Sequence, residues 1–559
     1  MMDRSFVRAV RALAVFAFAG VALGACSRVA SDAGGPATSS ASTGGGNAFT
    51  HHHELRYADV GDVSNLNPMF TNELTAHWMA QMTMAWLLRT NHDNQLIPEL
   101  ATEVPSIANH GISADGKTIT YHLRRNVVWS DGKPFDADDV VWTTNVINDP
   151  KTNVTSRDGW DRIVKIDEPD KYTVAYHLKA PYSPFVSSVF ATGAAEPAIL
   201  PKHLLAHTAN INTGPYNALP VGIGPFKFTQ WARADHVEMV ANPTYWRGRP
   251  KLDRVIYKII PSRDTIMTEL QTGDLDMWPI AAPAYVPRFA ALHGFRLFRQ
   301  PSYGFGHLDF NTSHRAVADP AVRRALLLGW DRRSQRDKIS HGIGILQDAV
   351  VSPRSPFYDA KLGFTAFDPA KANALLDAAG WKRGPDGIRA KNGVKLNLEL
   401  VSNAGSPDTD NRIELLRQDW KTLGVTFTRK NYDVNLLFAN FQQGGIIQTG
   451  KFDVVFFQWY PSASGDLANL YSCKQIPPQG QNDLHWCDPR AEAAMDDFKI
   501  TFDHARQKRD DDIVQEELIK ETPTMVASIA EDLYVENTDL TGFHPNNVSE
   551  FDDMMNVDI

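Results

Sequence analysis

The chain has 559 residues, more than one hydrophobic core ordinarily supports, so two or three domains are expected. Hydrophobic residues make up 43% and charged residues 22%, a composition typical of a soluble globular protein. The formal net charge is −9, and no basic run is longer than Arg323-Arg324 or Arg332-Arg333, which argues against a nucleic-acid partner.

Residues 1–25 are predicted to be a lipoprotein signal peptide. Arg4, Arg8 and Arg11 precede an apolar run of 14 residues, which as a helix spans about 21 Å, too short for the roughly 30 Å core of a bilayer. The run ends in L-G-A-C, which resembles a bacterial lipobox, and its last residue, Cys26, is the predicted lipidation site. The alternative is an ordinary secretory signal followed by an incidental cysteine.

Residues 26–52 are predicted to be a flexible tether, because 31–46 consist mostly of Ser, Gly, Ala and Thr with little to bury. Cleavage before Cys26 would change the formal charge to −11, since it removes three basic residues and one acid. The tether ends at His51-His52-His53, a run that could hold a metal weakly but is more often a solvated end.

Two further cysteines, Cys473 and Cys487, lie close together in a predicted loop. In an exported protein this arrangement favours a disulfide. A zinc pair with His485 is the alternative, but the spacing is not a familiar ligand pattern.

The first predicted elements are a strand over 54–58 and a helix over 74–88. Residues 115–148 then predict a strand, a second short strand at 127–129, a turn and a helix. Asp136 is the expected cap of that helix, with two more acids beside the positive end of its dipole.

The later elements are predicted from the same signals, namely apolar periodicity, helix caps and prolines. A strand is predicted over 172–178, and a short helical passage begins at 194. Asp319-Pro320 and Asp368-Pro369 each open a helix, with the acid as cap and the proline in the first turn. Strands are predicted over 394–400 and 452–459, and the second is almost continuously apolar, as a strand covered on both faces should be.

Several motifs resemble the family 5 extracellular solute-binding proteins, the peptide- and nickel-binding receptors of bacterial ABC importers. The signature stretches are D-G-K-T-x-T-Y-x-L-R and W-S-D-G-K-P-F-x-A-x-D-V within 115–148, V-G-I-G-P-F-K-F at 221–228 and N-P-x-Y-W at 242–246. The resemblance covers nearly all of residues 54–559.

The resemblance implies an α/β fold of the periplasmic-binding-protein-like type II (cluster C), with two lobes around a hinge and an extra subdomain in the first lobe. No Pro/Gly linker marks the crossings. The implied segments are lobe I at 53–87, the extra subdomain at 88–220, lobe I again at 221–302, lobe II at 303–525 and the C-terminal segment of lobe I at 526–559.

The resemblance also implies a ligand site where strand 452–459 ends. The family's peptide binders carry W-x-x-D there, and the Asp pairs with the peptide's α-ammonium. Trp459 matches the Trp, but Ser462 stands at the Asp position, and a neutral hydroxyl does not offset the desolvation of an ammonium. The nearest acid, Asp466, is either the alternative partner of an amine or a helix cap. Tyr460 offers a second ring.

Two more residues are expected at the ligand. Asn67 lies in N-L-N-P, where the family carries an S-L-D-P-like turn that implies a loop at the cleft edge. Tyr303 opens a further matching block over 303–333.

The sequence contains no G-x-S-x-G elbow, H-E-x-x-H, Walker loop or G-x-G-x-x-G after a strand. We therefore expect the substrate-binding component of an ABC importer rather than an enzyme, with no cofactor and no metal site. The expected partners are an oligopeptide-like ligand, the permease with its ATPase subunits, and a bacterial membrane reached through the lipid, with the receptor itself a monomer. A metal complex, sugar or lipid-like cargo, and an exported hydrolase, are the alternatives.

We expect Cys26→Ala to release or mislocalise the exported protein, because multiple acyl chains anchor a lipoprotein stably. Membrane fractionation of both forms measures this. Unchanged membrane association of the variant would contradict the lipid anchor.

Overall fold

The computed structural model describes residues 46–157, 159–192, 197–461 and 464–559. The signal peptide, Cys26, most of the tether, Ser462 and the passage beginning at 194 lie outside the described residues, so the predictions for them stay predictions.

The strands follow the apolar runs of the sequence. In the described part of the chain they are β1 Glu54–Asp59, β2 Leu88–Thr90, β3 Leu96–Pro98, β4 Thr118–His122, β5 Ile163–Asp170, β6 Thr173–Leu178, β7 Phe226–Ala232, β8 His236–Ala241, β9 Arg254–Ile259, β10 Met277–Trp278, β11 Phe295–Phe310, β12 Lys382–Arg383, β13 Arg389–Lys391, β14 Val394–Lys395, β15 Asn397–Asn403, β16 Thr426–Tyr432, β17 Val454–Trp459 and β18 Thr524–Asn537.

Ten strands form one mixed sheet in the order β16-β15-β17-β11-β18-β10-β1-β9-β8-β7. Its two ends are partly parallel, β15 with β16 and β17, and β1 with β9 and β10. The long antiparallel strands β11 and β18 join these ends. The remaining strands form three small sheets, β2-β3, β4-β6-β5 and β12-β13-β14.

The α-helices cover the sheet and fill the connections. In the described ranges they are α1 Leu74–Thr83, α2 Ala137–Asn148, α3 Phe185–Ser188, α4 Lys202–Leu205, α5 Arg263–Thr272, α6 Val286–Phe289, α7 Pro320–Leu328, α8 Arg332–Ile339, α9 Pro369–Ala378, α10 Pro407–Thr422, α11 Val434–Leu437, α12 Ala468–Tyr471, α13 Pro489–Ile500 and α14 His504–Glu521.

The predicted helix caps are confirmed. The Asp136 carboxylate accepts a hydrogen bond from the backbone N–H of Asp138 at 3.1 Å, and Asp139 accepts one from the backbone N–H of Asp136 at 3.4 Å, which completes a capping box. Asp319 and Asp368 cap α7 and α9, each followed by proline. Local sequence therefore sets where these helices begin.

Three boundary predictions are wrong. The helix predicted over 74–88 ends at Thr83, because Leu87 and Leu88 donate their backbone N–H groups to Phe190 O at 2.9 and 3.1 Å. The short strand at 127–129 is reduced to one bridge, between Val128 and Pro134. The strand predicted over 394–400 is divided at Leu396 into β14 and β15.

The buried apolar residues form separate clusters along the chain. One joins the strand β4, the helix α2 and the segment after β6, with Trp86, Trp129 and Trp160 among its members. Others lie against each end of the large sheet, around Leu400 and Trp420 at one end and around Tyr57 at the other. Most members of the first cluster lie between β2 and β7, and others, such as Met69, Ala80 and Trp86, precede β2.

A disulfide joins Cys473 and Cys487, with the two Cα atoms 4.9 Å apart. The loop it closes also contacts α13, because the Cys473 backbone N–H donates to Glu492 Oε2 at 2.8 Å. Both thiols are consumed in the bond, which removes the zinc alternative for this pair.

We expect Cys473→Ser with Cys487→Ser to lower the free energy of unfolding by up to about 3 kcal/mol, since a crosslink over roughly 15 residues restricts the unfolded chain by that amount. Urea denaturation of the variant and the wild type measures the difference. Equal midpoints with the wild-type disulfide intact would show that the bond adds no stability.

Candidate functional site

A cavity of about 630 Å³ opens between the extra segment and the part of the chain that follows β11. One wall comes from the β2–β3 turn and the segment around α3, the other from residues 354–357 and the start of α14. Tyr303 and Asn547 also line it. The volume falls within the range of about 300–1,000 Å³ that small-ligand sites occupy.

A bulge in β11 places Tyr303 at the cavity. Pro301 pairs with Glu531 and Phe305 with Ile529, so the three residues Ser302 to Gly304 face a single residue of β18. Tyr303 is 8% exposed, and burial raises the pKa of its phenol to about 12. The side chain is therefore a neutral hydrogen-bonding group at neutral pH.

Trp459 and Tyr460 end β17 next to this bulge. Trp459 is half-buried, pairs with Phe305 and packs edge-on against Phe457 at 6.5 Å between ring centroids. Tyr460 is 63% exposed, and its ring lies over Gly304, where an added Cβ would come within 2.4 Å of Cε1. Neither Trp459 nor Tyr460 is among the described residues that line the cavity, and their contact with a ligand stays a prediction.

Asp466 is engaged within its own lobe. It accepts a hydrogen bond from the backbone N–H of Ala468 at 2.9 Å and lies 3.5 Å from Lys499 Nζ. These contacts favour the helix-cap interpretation, in which the acid stabilises the start of α12. Its predicted pairing with a ligand amine stays a prediction.

The remaining predicted residues differ in position. Asn67 is 1% exposed, accepts from the backbone N–H of Met69 at 3.2 Å and donates to Asn217 at 2.9 Å, so it fixes its own turn and does not line the cavity. Ser462 lies outside the described residues, although Pro461 and Ser464 on either side of it line the cavity.

The cavity also contains residues that the sequence did not single out. Arg354 donates from Nε to Asn547 Oδ1 at 3.3 Å and from Nη2 to His92 O. Asn94 donates to the same Oδ1 at 3.2 Å. These residues come from three distant stretches of the sequence. The only local signal is the Pro-rich stretch S-P-R-S-P around Arg354, in which the prolines restrict the backbone.

Behind Asn547 lies a buried carboxylate. Asp532 is 7% exposed and accepts from Asn547 Nδ2 at 3.2 Å. Burial raises its pKa to about 6, partly offset by hydrogen bonds from Asn547 and Ser302. Asp532 therefore ionises near neutral pH and then holds the Asn547 amide with its oxygen toward the cavity.

A second set of contacts closes the cavity at its other end. Ser183 of the extra segment donates its backbone N–H to Lys499 O at 2.8 Å and its hydroxyl to Phe498 O at 2.9 Å. Gln507 of α14 donates to the Ser183 hydroxyl at 3.0 Å. These bonds join parts of the chain that lie on opposite sides of the cavity.

Among the described residues, no group of three or more His, Cys, Asp or Glu side chains is arranged to hold a metal ion. No helix within these ranges is both long and apolar enough to cross a membrane.

A mixed sheet whose halves are joined by two long strands, with a cavity beside that junction, defines a two-lobed binding protein of the periplasmic type II class. Residues 95–478 match the sequence model of the bacterial extracellular solute-binding proteins, family 5 Middle. The chain belongs to the family 5 solute-binding proteins, and the predicted family and fold class are confirmed.

Similar proteins include a relative and two solved structures. Protein XP55 of Streptomyces lividans is 32% identical over 339 residues, 61% of this chain and 60% of that protein. The oligopeptide-binding protein AppA from Bacillus subtilis, in complex with a nonapeptide, has a TM-score of 0.70 at 21% identity, covering 90% of this chain and 98% of that one. NikA from Brucella suis, in complex with Fe(III)-EDTA, has a TM-score of 0.76 at 22% identity, with 90% and 99% covered.

We expect Asp532→Asn to gain free energy of unfolding relative to the wild type as the pH rises from 4 to 7. The folded pKa of about 6 exceeds the ordinary value of 3.8, so the wild-type contribution is complete below pH 3.8 and is lost as the pH rises to 6. Asparagine removes this decline, which amounts to roughly 2–3 kcal/mol.

Urea unfolding of both proteins at pH 4 and pH 7 measures the effect, with Asp161→Asn as the control because Asp161 is exposed. A stability difference between wild type and Asp532→Asn that stays the same at both pH values would contradict the raised pKa.

Proposed function

We propose that this protein is the exported receptor of an ABC importer, which captures an oligopeptide-like solute in the cavity beside Tyr303 and delivers it to a permease with ATPase subunits. The observation that carries the proposal is the cavity itself, which lies beside the two strands that join the halves of the sheet. Ligand binding at such a junction is coupled to the angle between lobes.

The chemistry of the cavity wall supports a peptide-sized polar cargo. Hydroxyl and amide side chains dominate it, with Ser183, Ser187, Ser355 and Gln507 as examples, beside the ring of Phe357. Adaptable neutral hydrogen-bonding groups around an apolar surface suit a backbone-rich ligand whose side chains vary. The similar AppA structure, which holds a nonapeptide, supports the same class of cargo.

A metal chelate is the second candidate cargo. The similar NikA structure holds Fe(III)-EDTA, a polyanionic chelate, and the cavity here contains an arginine. The oligopeptide is favoured because the neutral groups on the wall far outnumber the charged ones.

The lobe boundaries are part of the proposal. We place one crossing at the β11 bulge, close to 302/303, and the other in β18 close to 525/526, where Val526 pairs with His307, with the extra subdomain at 88–220. The apolar cluster whose members come mostly from 88–220 supports that segment as a subdomain packed on lobe I. Lipid anchoring through Cys26, a position on the periplasmic or cell-surface face of a bacterial membrane and a monomeric state complete the proposal.

The absence of catalytic sequence motifs supports a receptor rather than an enzyme. We expect an equimolar tripeptide mixture to bind the purified protein, to remain chemically intact, and to reduce the radius of gyration as the lobes close. Calorimetry, mass spectrometry of the recovered peptides and small-angle scattering provide the three measurements.

Tyr303→Ala tests the location of the site, with Tyr303→Phe as the matched control that keeps the ring. We expect the alanine variant to bind at least about tenfold more weakly, as loss of a buried aromatic contact implies, and the phenylalanine variant to stay within a few-fold of wild type. Peptide hydrolysis would overturn the receptor proposal, and undiminished binding by Tyr303→Ala would place the site elsewhere.

A further inference from the structure

Arg354 is a cation on the cavity wall that forms no ion pair with a carboxylate in the described part of the chain. Among the described residues that line the cavity it is the only lysine or arginine, and it forms no ion pair with a described acid. The acid on the opposite wall, Asp93, pairs with His92 at 3.3 Å instead. The charge of Arg354 is therefore available to whatever enters the cavity.

The donors of Arg354 are only partly used. A guanidinium carries five N–H groups in a planar fork. Nε donates to Asn547 Oδ1, and Nη2 donates to His92 O. Both N–H groups of Nη1 are without an acceptor among the described residues.

The neighbours of Arg354 hold its plane in place. Asn547 accepts from Arg354 and from Asn94 Nδ2, while its own Nδ2 donates to Pro301 O at 2.5 Å and to Asp532 at 3.2 Å. A ligand-binding group that is oriented by a second layer of hydrogen bonds loses little freedom when it binds.

We propose that Arg354 binds a carboxylate of the cargo through its Nη1 edge and makes the receptor selective for solutes that carry one. The N–H groups of Nη1 can donate to a carboxylate oxygen, and such charge-assisted hydrogen bonds are about twice as strong as neutral ones. This inference rests on the proposed function and adds to it the end of the ligand that is recognised. The carboxylate is either the C-terminus of a peptide or an acidic side chain.

The structure also allows a simpler role, in which Arg354 only latches the two sides of the cavity through His92 and Asn547. A latch acts on every cargo equally, because it stabilises the closed form whatever is inside. A carboxylate-binding residue acts only on cargo that carries the carboxylate. The two roles therefore differ in how the effect of a mutation depends on the ligand.

The test combines Arg354→Met with three ligand sets and measures Kd by calorimetry. The sets are a mixture of neutral tripeptides as free acids, the same peptides as C-terminal amides, and amidated tripeptides with a central glutamate. We expect the wild type to prefer at least one carboxylate-bearing set over the neutral amides by about tenfold or more, as a charged hydrogen bond implies, and Arg354→Met to lose that preference.

Arg249→Met is the matched control, since Arg249 is exposed, pairs with Asp253 and does not line the cavity. We expect it to keep the wild-type preference. A preference for the free acids identifies the C-terminus as the source of the carboxylate, and a preference for the glutamate set identifies the side chain.

Two results would overturn the inference while leaving the proposed function in place. One is an equal wild-type Kd for the ligand sets with and without a carboxylate. The other is a preference for the carboxylate that survives in Arg354→Met, which would leave Arg354 as a latch only. Failure of every set to bind the wild type would instead refute the oligopeptide function itself, and this inference with it.

Discussion

The pairing of β11 with β18 is the constraint on which the rest of this structure depends. The two strands run antiparallel over most of their length and link the ends of a ten-stranded sheet. Between them the ladder is interrupted where Ser302 to Gly304 face one residue. The register shifts again between Gly306 and His307. Because a bulge adds local bend and twist to a ladder, the irregularity at Ser302 to Gly304 presents Tyr303 to the cavity and supports the proposed crossing between lobes at this point.

The contacts across the cavity differ in kind from those within each half. Buried apolar clusters hold the parts of the chain on each side of the cavity, whereas Arg354, Asn547 and Ser183 make hydrogen bonds between polar groups across it. One apolar contact, from Phe502 to the cluster of the extra segment, accompanies them. Water can replace such bonds at a net free-energy cost of only about 1 kcal/mol each, while it cannot replace a buried cluster. The halves can therefore separate without unfolding, which a receptor that must admit and release its cargo requires.

Sequence reasoning succeeded where structure is decided locally. The caps at Asp136, Asp319 and Asp368 act on the next few residues, and the apolar run of β17 needs only burial on both faces. It failed where a contact with a distant part of the backbone ends an element. After Thr83, for example, Leu87 and Leu88 donate to Phe190 O instead of continuing the helix. The residues around Arg354 were missed for the same reason, because Asn94 and Asn547 meet it only after the chain has folded, and no spacing in the sequence encodes that meeting.

The charges near the cavity indicate which end of a peptide is recognised. The family's acid for an α-ammonium is replaced here by Ser462, and the nearest alternative, Asp466, already faces Lys499. Asp532 is also engaged, because its carboxylate orients Asn547, which in turn accepts from Arg354. An ionised Asp532 therefore holds the Asn547 amide in the orientation that accepts from the Arg354 guanidinium, and it does not provide a site for a ligand amine. With Asp466 and Asp532 engaged, and with Arg354 the one arginine among the described residues of the cavity wall, the charges support the proposed recognition of a cargo carboxylate.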